Sequence, residues 1–190
     1  MMSMGERIFK TLGKGVFRKS SIRDISKHPF QVDPSMPYLL GENRYKSILE
    51  IGTCRGVSAA VLSEYADSVT TIDLKGNKYD VEGIMTLERL WSELGITNIK
   101  KIQVKNDIEK IGIIESLDFD MAFVDGNHGY PMLLDWLLVK RCKNVLFHDY
   151  GGNHLNDPND IKYCPVKDLV DTLPKDEIMI KGLFAFWNEK

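Results

Sequence analysis

The chain has 190 residues, 43% of them hydrophobic and 27% charged, which fits one folded domain with at most a short extension and excludes disordered or collagen-like chains. The formal net charge of −2 argues against a protein that holds nucleic acid by bulk positive charge. No apolar run approaches the roughly 20 residues that span a bilayer, and the N-terminus lacks the apolar segment of a secretory signal, so we expect a cytoplasmic protein.

The N-terminal segment is basic. Residues 1–27 carry seven Lys or Arg side chains against two acidic ones. A solvated amphipathic extension and a docking surface for an anionic partner both fit this pattern, and the segment could also join subunits of a homo-oligomer. We interpret residues 1–46 as a cap of helices and loops close to the substrate, and residues 47–190 as the main domain.

From about residue 47, short β-rich apolar runs alternate with stretches of helical periodicity, which is typical of a parallel sheet with helices on both faces. Strands are predicted at 47–51, 68–72, 99–104, 119–124 and 144–147. Helices are predicted from 57, around 84–94, from 132 to 139 and from 165 to 173. The last two strands, 177–180 and 184–187, are joined by three residues, too few for a parallel crossover, so they must pair antiparallel. The predicted fold is an α/β, Rossmann-like, doubly wound sheet of seven strands, mostly parallel, with an antiparallel C-terminal hairpin.

The segment after the first strand reads Glu-Ile-Gly-Thr-Cys-Arg-Gly-Val-Ser at 50–58. Gly52 and Gly56 allow a sharp turn and a close approach to a ligand before a helix begins. Asp73 follows 21 residues after Gly52, the distance at which an acidic side chain on the neighbouring strand can bind both hydroxyls of a ribose. The pair of features predicts a nucleoside site at the carboxyl ends of the strands.

Two other nucleotide-binding motifs are absent from the segment at 50–58, and their absence limits the type of nucleoside that we expect. The dinucleotide fingerprint requires glycines where this chain has Cys54 and Val57, and the Walker signature for triphosphates is absent. A ligand with a ribose and no phosphate fits better, namely S-adenosylmethionine. Glu50 belongs to a strand expected to be buried on both faces, so we expect it to hold the loop or the ligand rather than to lie at the surface.

Two further motifs lie after the fourth and fifth strands: Val-Asp-Gly-Asn-His-Gly-Tyr at 124–130 and His-Asp-Tyr at 148–150. Together with the segment at 50–58 they resemble the class I S-adenosylmethionine-dependent methyltransferases, in the O-methyltransferase-like branch, over about residues 44–190. The resemblance implies the class I methyltransferase fold and a set of cofactor-binding residues: Glu50, Gly52, Thr53, Cys54, Gly56, Ser58, Asp73, Asn106, Asp107 and Asp125. Within this set Glu50, Gly52 and Gly56 shape the methionine pocket, Asp73 binds the ribose, and Asn106 and Asp107 lie near the adenine. Cys54 departs from the glycine that many class I enzymes have there.

Methyl transfer requires alignment of the acceptor and, for a hydroxyl, removal of its proton. Asp125, His128, His148 and Asp149 follow strands four and five, beside the expected sulfonium. By the resemblance, Asp125, His148 and Asp149 could bind Mg²⁺ or another divalent cation that acidifies the hydroxyl. Alternatively His148 or His128 is the general base. Asp149 is the third candidate catalytic residue. His128 could instead be a turn residue that caps the next helix.

We therefore predict an S-adenosylmethionine-dependent methyltransferase that acts on a hydroxyl of a small molecule, with neither nucleic acid nor membrane as partner. The Asn/Asp-Pro-Pro-Tyr/Phe turn of enzymes that methylate nucleic-acid amino groups is absent after strand four. Two alternatives stay open: a non-catalytic module that binds S-adenosylmethionine and, on weaker grounds, an NAD-dependent oxidoreductase.

Overall fold

The computed structural model describes Met4, Arg7 and residues 35–54, 56–75, 87–126, 131–150 and 165–189. These described residues contain a seven-stranded sheet. Its strands are β1 (Tyr45–Ile51), β2 (Ala66–Leu74), β3 (Ile99–Val104), β4 (Met121–Val124), β5 (Asn144–Phe147), β6 (Ile178–Lys181) and β7 (Phe184–Asn188). The predicted number of strands is confirmed.

The strand order is β3-β2-β1-β4-β5-β7-β6. The first five strands pair in parallel, and β7 is antiparallel to both β5 and β6. The predicted antiparallel hairpin is therefore confirmed, and its second strand lies inside the sheet, between β5 and β6. The chain runs from β1 to β2 and β3 on one side of the sheet, and then continues with β4 and β5 on the other side of β1. The strand order therefore reverses between β1 and β4, and ligands bind at the carboxyl ends of the strands at such a point in open sheets of this kind.

Helices cover both faces of the sheet. In the described part of the chain they are α1 (Ser35–Leu40), α2 (Val57–Leu62), α3 (Leu87–Glu93), α4 (Asp107–Glu115), α5 (Pro131–Val139) and α6 (Pro165–Val170). Residues of α1, α2 and α3 form one hydrophobic core with the sheet, and residues of α4, α5 and α6 form the other. None of the helices in the described ranges has the length and apolarity needed to cross a membrane.

Several boundaries differ from the sequence prediction. Strand β2 extends to Leu74, so Asp73 lies within the strand rather than after it. Strand β4 begins at Met121, two residues later than predicted, and the carboxylate of the preceding Asp120 accepts hydrogen bonds from the backbone N–H groups of Lys46 and Ser47 near the start of β1. Helix α6 ends at Val170 and continues as turns to residue 173. Helix α4 is not predicted from the sequence.

Candidate active site

Glu50 lies one residue before the end of β1 and is fully buried. Successive strand residues face opposite cores, and Glu50 faces the side of α2, where its Oε1 accepts a hydrogen bond from Ser58 Oγ. Its Oε2 has no hydrogen-bond partner among the residues that the structure describes. Burial raises the pKa of Glu50 to about 8, with Asp125 and Asp73 acting in the same direction against the Ser58 and Thr71 hydroxyls. Glu50 is thus bonded to the first turn of α2, directly after the loop, and keeps one buried carboxyl oxygen without a partner.

Gly52 brings the loop after β1 against the segment after β4. Its φ is +99°, and a Cβ there would lie 2.2 Å from the backbone oxygen of Asp125. The backbone N–H of Asp125 in turn donates to Ile51 O at 2.9 Å. The close contact between these two segments of the chain therefore requires glycine at position 52, independently of any ligand.

Residues 53–56 of the loop are held by contacts with the side chains of Trp91 and Thr71. Gly56 has a φ of +67°, and a Cβ there would lie 2.9 Å from the Trp91 ring, whose Nε1 donates to Gly56 O at 2.9 Å. Cys54 takes the left-handed conformation, with φ at +41°, which residues with a side chain adopt less readily than glycine does. Buried Thr53 lies beside Thr71, with 2.6 Å between the two hydroxyl oxygens.

Asp73 is half-buried and directly abuts this loop. Its Oδ2 accepts a hydrogen bond of 3.1 Å from the Cys54 backbone N–H, and its Oδ1 accepts one of 2.8 Å from the N–H of Leu74. These bonds fix the orientation of the carboxylate at the carboxyl edge of β2. An oriented, half-exposed carboxylate beside a loop of this kind can accept hydrogen bonds from a vicinal diol.

On the other side of the loop, Asp125, His148 and Asp149 form a compact cluster, with each side chain at most one-tenth exposed. Asp125 Oδ1 lies 2.8 Å from His148 Nδ1, and Asp149 Oδ1 lies 3.4 Å from the same nitrogen. One potential metal-ligand atom from each residue lies within 4.8 Å of the others. Carboxylate oxygens and an imidazole nitrogen at these separations are suited to a divalent transition metal, or to a shared proton.

The His148 ring is held by aromatic packing. Its centroid lies 4.8 Å from that of Phe184 on β7 and 6.4 Å from that of Phe123 on β4. The Nε2 atom is buried. The Nδ1 atom, which faces the two carboxylates, is therefore the nitrogen placed to exchange a proton or bind a cation. Asp149 has a φ of +59°, a conformation that costs a non-glycine residue about 1 kcal/mol or more and that recurs at functional sites.

Asn106 and Asp107 lie at the carboxyl end of β3, where α4 begins. The Asn106 side-chain oxygen accepts a hydrogen bond of 2.9 Å from the Glu109 N–H and so caps the helix. Asp107 is half exposed, and its Oδ1 lies 2.9 Å from Lys110 Nζ. The Asn106 oxygen therefore has a structural role, whereas Asp107 remains partly accessible.

The described site residues share one edge of the sheet. The loop after β1 lies between Asp73 on β2 and Asp125 after β4, and Asp125 contacts His148 after β5. His128 lies outside the described residues. Sequence reasoning missed Trp91 and Phe184 as supports of the site; an aromatic side chain on an apolar face gives no signal that separates such a role from ordinary core packing.

No protein-family model matches the chain, and no curated protein matches it. Solved structures do. A proposed caffeoyl-CoA O-methyltransferase from Staphylococcus aureus is 16% identical, with a TM-score of 0.59 over all of this chain and 93% of that one. A proposed O-methyltransferase from Klebsiella pneumoniae is 12% identical, with a TM-score of 0.58 over all of this chain and 91% of that one.

A third structure is that of the O-methyltransferase TomG from Streptomyces achromogenes, involved in tomaymycin synthesis and solved in complex with S-adenosylmethionine. It is 18% identical, with a TM-score of 0.56 over 85% of this chain and 80% of that one. Similarity at this level of identity concerns the fold. The mixed seven-stranded sheet and its strand order are therefore those of the class I methyltransferase fold.

Proposed function

We propose that the protein is an S-adenosylmethionine-dependent methyltransferase that acts on a hydroxyl group of a small molecule. The observation that carries this proposal is the juxtaposition of three groups on one edge of the sheet: the Asp73 carboxylate, the loop at 52–56, and the Asp125–His148–Asp149 cluster. A nucleoside held by its ribose on Asp73 and lying across this loop would direct its far end towards the cluster.

The residues present fit this ligand. Asp73 supplies an oriented carboxylate for the ribose hydroxyls. Glu50 Oε2, a buried carboxyl oxygen without a hydrogen-bond partner among the described residues, is available for a hydrogen bond to the methionine end of the molecule. When bound, S-adenosylmethionine would supply a methyl group whose carbon an aligned hydroxyl oxygen can attack, with the C–S bond broken, S-adenosylhomocysteine as the leaving group and the hydroxyl proton passed to a base.

The Asp125–His148–Asp149 cluster would orient the acceptor hydroxyl and take up its proton. We propose that Asp125, Asp149 and His148 Nδ1 can also hold a divalent cation, which would lower the pKa of a bound hydroxyl. The buried position of His148 Nε2 argues against proton removal by that nitrogen. His128 stays a prediction for this step, as does the placement of residues 1–46 beside the acceptor.

The first test is calorimetric titration with S-adenosylhomocysteine and, separately, with NAD. We expect S-adenosylhomocysteine to bind and NAD not to bind. Asp73→Asn should weaken S-adenosylhomocysteine by about tenfold or more, because hydrogen bonds to a charged carboxylate contribute about 1.5–3 kcal/mol. Asp67→Asn on the same strand, whose carboxylate pairs with exposed Arg44, is the matched control and should change nothing. NAD binding without S-adenosylhomocysteine binding would favour the oxidoreductase instead.

A second test addresses the cation and separates an enzyme from a binding module. Mn²⁺ binding, measured by electron paramagnetic resonance, should be lost in Asp149→Asn and retained in Asp67→Asn. Transfer of a labelled methyl group to a panel of hydroxylated metabolites should stop with excess chelator and resume with Mg²⁺. Undiminished transfer in chelator would exclude the metal, and S-adenosylhomocysteine binding without transfer to any hydroxyl would favour the non-catalytic module.

A further inference from the structure

The residue that follows Asp149 connects the cluster to the end of α6. The Tyr150 hydroxyl donates a hydrogen bond of 2.8 Å to Oδ1 of Asp171, which directly follows α6. The backbone N–H of Tyr150 donates a second bond, of 2.9 Å, to the Leu183 oxygen in the connection between β6 and β7. Tyr150 is therefore held at two separate elements, by its side chain and by its backbone.

The acceptor of the Tyr150 hydroxyl is a charged carboxylate. Lys167, on α6, pairs with the other oxygen of Asp171, Oδ2. The hydrogen bond from Lys167, and after it the one from Tyr150, lower the pKa of Asp171, so this carboxylate is ionised at neutral pH. The Lys167 ammonium also lies 5.5 Å from the centroid of the Tyr150 ring, within the range of a cation–π contact. Two side chains at the end of α6 thus fix the tyrosine ring.

Asp149 is the cluster residue whose backbone leaves the geometry of the sheet. The Asp125 N–H donates to Ile51 O at 2.9 Å and so continues the pairing of β1 with β4. The His148 N–H donates to Val124 O at 3.1 Å and continues the pairing of β4 with β5. Asp149 instead has a left-handed backbone, with φ at +59°. The direction of its side chain therefore depends on how the chain is held directly after it.

Stability alone is a weak explanation for the contacts at the end of α6. The side chains of Lys167 and Asp171 are 49% and 45% exposed, and ion pairs at such positions contribute little to the free energy of unfolding. The side chain of Asp149, by contrast, is 6% exposed, and its Oδ1 lies 3.4 Å from His148 Nδ1. Groups that orient the ligands of a metal site have a measurable effect on its affinity.

We propose that Tyr150 and Asp171 are positioning residues that hold the Asp149 carboxylate beside His148 Nδ1, and that they thereby set the affinity of the cluster for a divalent cation. This inference rests on the proposed function. Asp171 fixes the side chain of Tyr150, and Tyr150 fixes the backbone on the C-terminal side of Asp149. The two residues act through the backbone of Asp149 and need not touch the cation.

The test measures the affinity of the protein for Mn²⁺ alone by electron paramagnetic resonance. Tyr150→Phe removes the hydroxyl, and Asp171→Ala removes its acceptor. Each variant should bind Mn²⁺ about three- to tenfold more weakly than the wild-type protein, the range that one net hydrogen bond supports. The double variant should bind no more weakly than either single variant, because both substitutions remove the same bond. Asp168→Ala, which removes an exposed carboxylate on α6, is the matched control and should leave Mn²⁺ affinity unchanged.

The affinity for S-adenosylhomocysteine, measured by calorimetry, separates positioning from general structural support. This ligand is proposed to bind on Asp73, on the other side of the loop after β1, so the variants should bind it as tightly as the wild-type protein does. The inference is wrong if both affinities fall equally, if Mn²⁺ affinity is unchanged, if the losses add in the double variant, or if the wild-type protein binds no Mn²⁺. If Tyr150→Phe does not fold, Asp171→Ala decides by the ratio of the two affinities. Failure of the wild-type protein to bind S-adenosylhomocysteine at all would instead refute the proposed function.

Discussion

The buried carboxyl of Glu50 makes stability depend on pH in a defined direction. In the unfolded chain this group ionises near its ordinary value of 4.5, whereas in the folded protein its pKa is about 8. Between these values the folded state holds one more proton than the unfolded state, so the free energy of unfolding falls as pH rises. At pH 7.5, about three pH units above the unfolded value, this linkage costs the folded state about 4 kcal/mol.

Glu50→Gln removes the ionisation and keeps a carbonyl oxygen that can accept the Ser58 hydrogen bond. We expect the variant to match or fall below the wild-type protein in stability at pH 5, and to exceed it at pH 7.5 by about 2–4 kcal/mol. Between these values the difference should grow by about 1.4 kcal/mol for each pH unit.

The assay is urea unfolding of both proteins at half-unit pH steps from 5 to 8, with Glu115→Gln at the exposed end of α4 as the control for loss of one charge. The free energy of unfolding of the Glu115→Gln variant should change with pH in parallel with that of the wild-type protein. Parallel pH profiles for Glu50→Gln and the wild-type protein would refute the reasoning, because they would show that Glu50 is ionised in the folded state.

Two further predictions concern glycines. Gly52→Ala should destabilise the protein by about 2–5 kcal/mol, since it combines positive-φ strain with a clash against the Asp125 backbone. The control is Gly95→Ala, also at positive φ but with no atom of the described residues within 4 Å of its added Cβ, and it should cost only about 1 kcal/mol. Equal losses of stability in the two variants would show that the clash between the added Cβ of residue 52 and the Asp125 backbone is relieved. Gly112→Ala, inside α4 with open space around it, should stabilise by about 0.5–1 kcal/mol in the same unfolding assay, and a loss would contradict the helical assignment.

Much of the fold follows from patterns that are local in sequence. Strands β3 and β5 have the predicted bounds because apolar residues run between clear polar boundaries. The connection between β6 and β7, residues 182–183, is one residue shorter than predicted and permits only antiparallel pairing. Helix α4 was not predicted because Gly112, a weak helix former, lies inside it and its apolar face is weak. Its start was nevertheless marked by Asn106 as N-cap and by the acidic first turn.

The proximity of the candidate site residues was predictable where their motifs follow or end strands of one sheet. The glycine loop, Asp125, His148 and Asp149 follow strands, and Asp73 lies near the carboxyl end of its own strand. These strand ends share an edge, so the proximity of the residues follows from topology. Two tertiary contacts could not be predicted from the sequence. They are the contact of Gly52 with the Asp125 backbone and the Lys110–Asp135 ion pair, which joins residues 25 positions apart on two helices. The burial of Nε2 of His148 likewise depends on packing that no local pattern encodes.

The central claim is that an adenosyl sulfonium compound lies across the loop after β1, and a crystal structure of the protein with S-adenosylhomocysteine tests it most directly. The account predicts that the ribose hydroxyls contact the Asp73 carboxylate, that the purine lies near Asp107, and that the sulfur faces the Asp125–His148–Asp149 cluster. Ligand bound at another edge of the sheet, or with its sulfur turned away from His148, would contradict it.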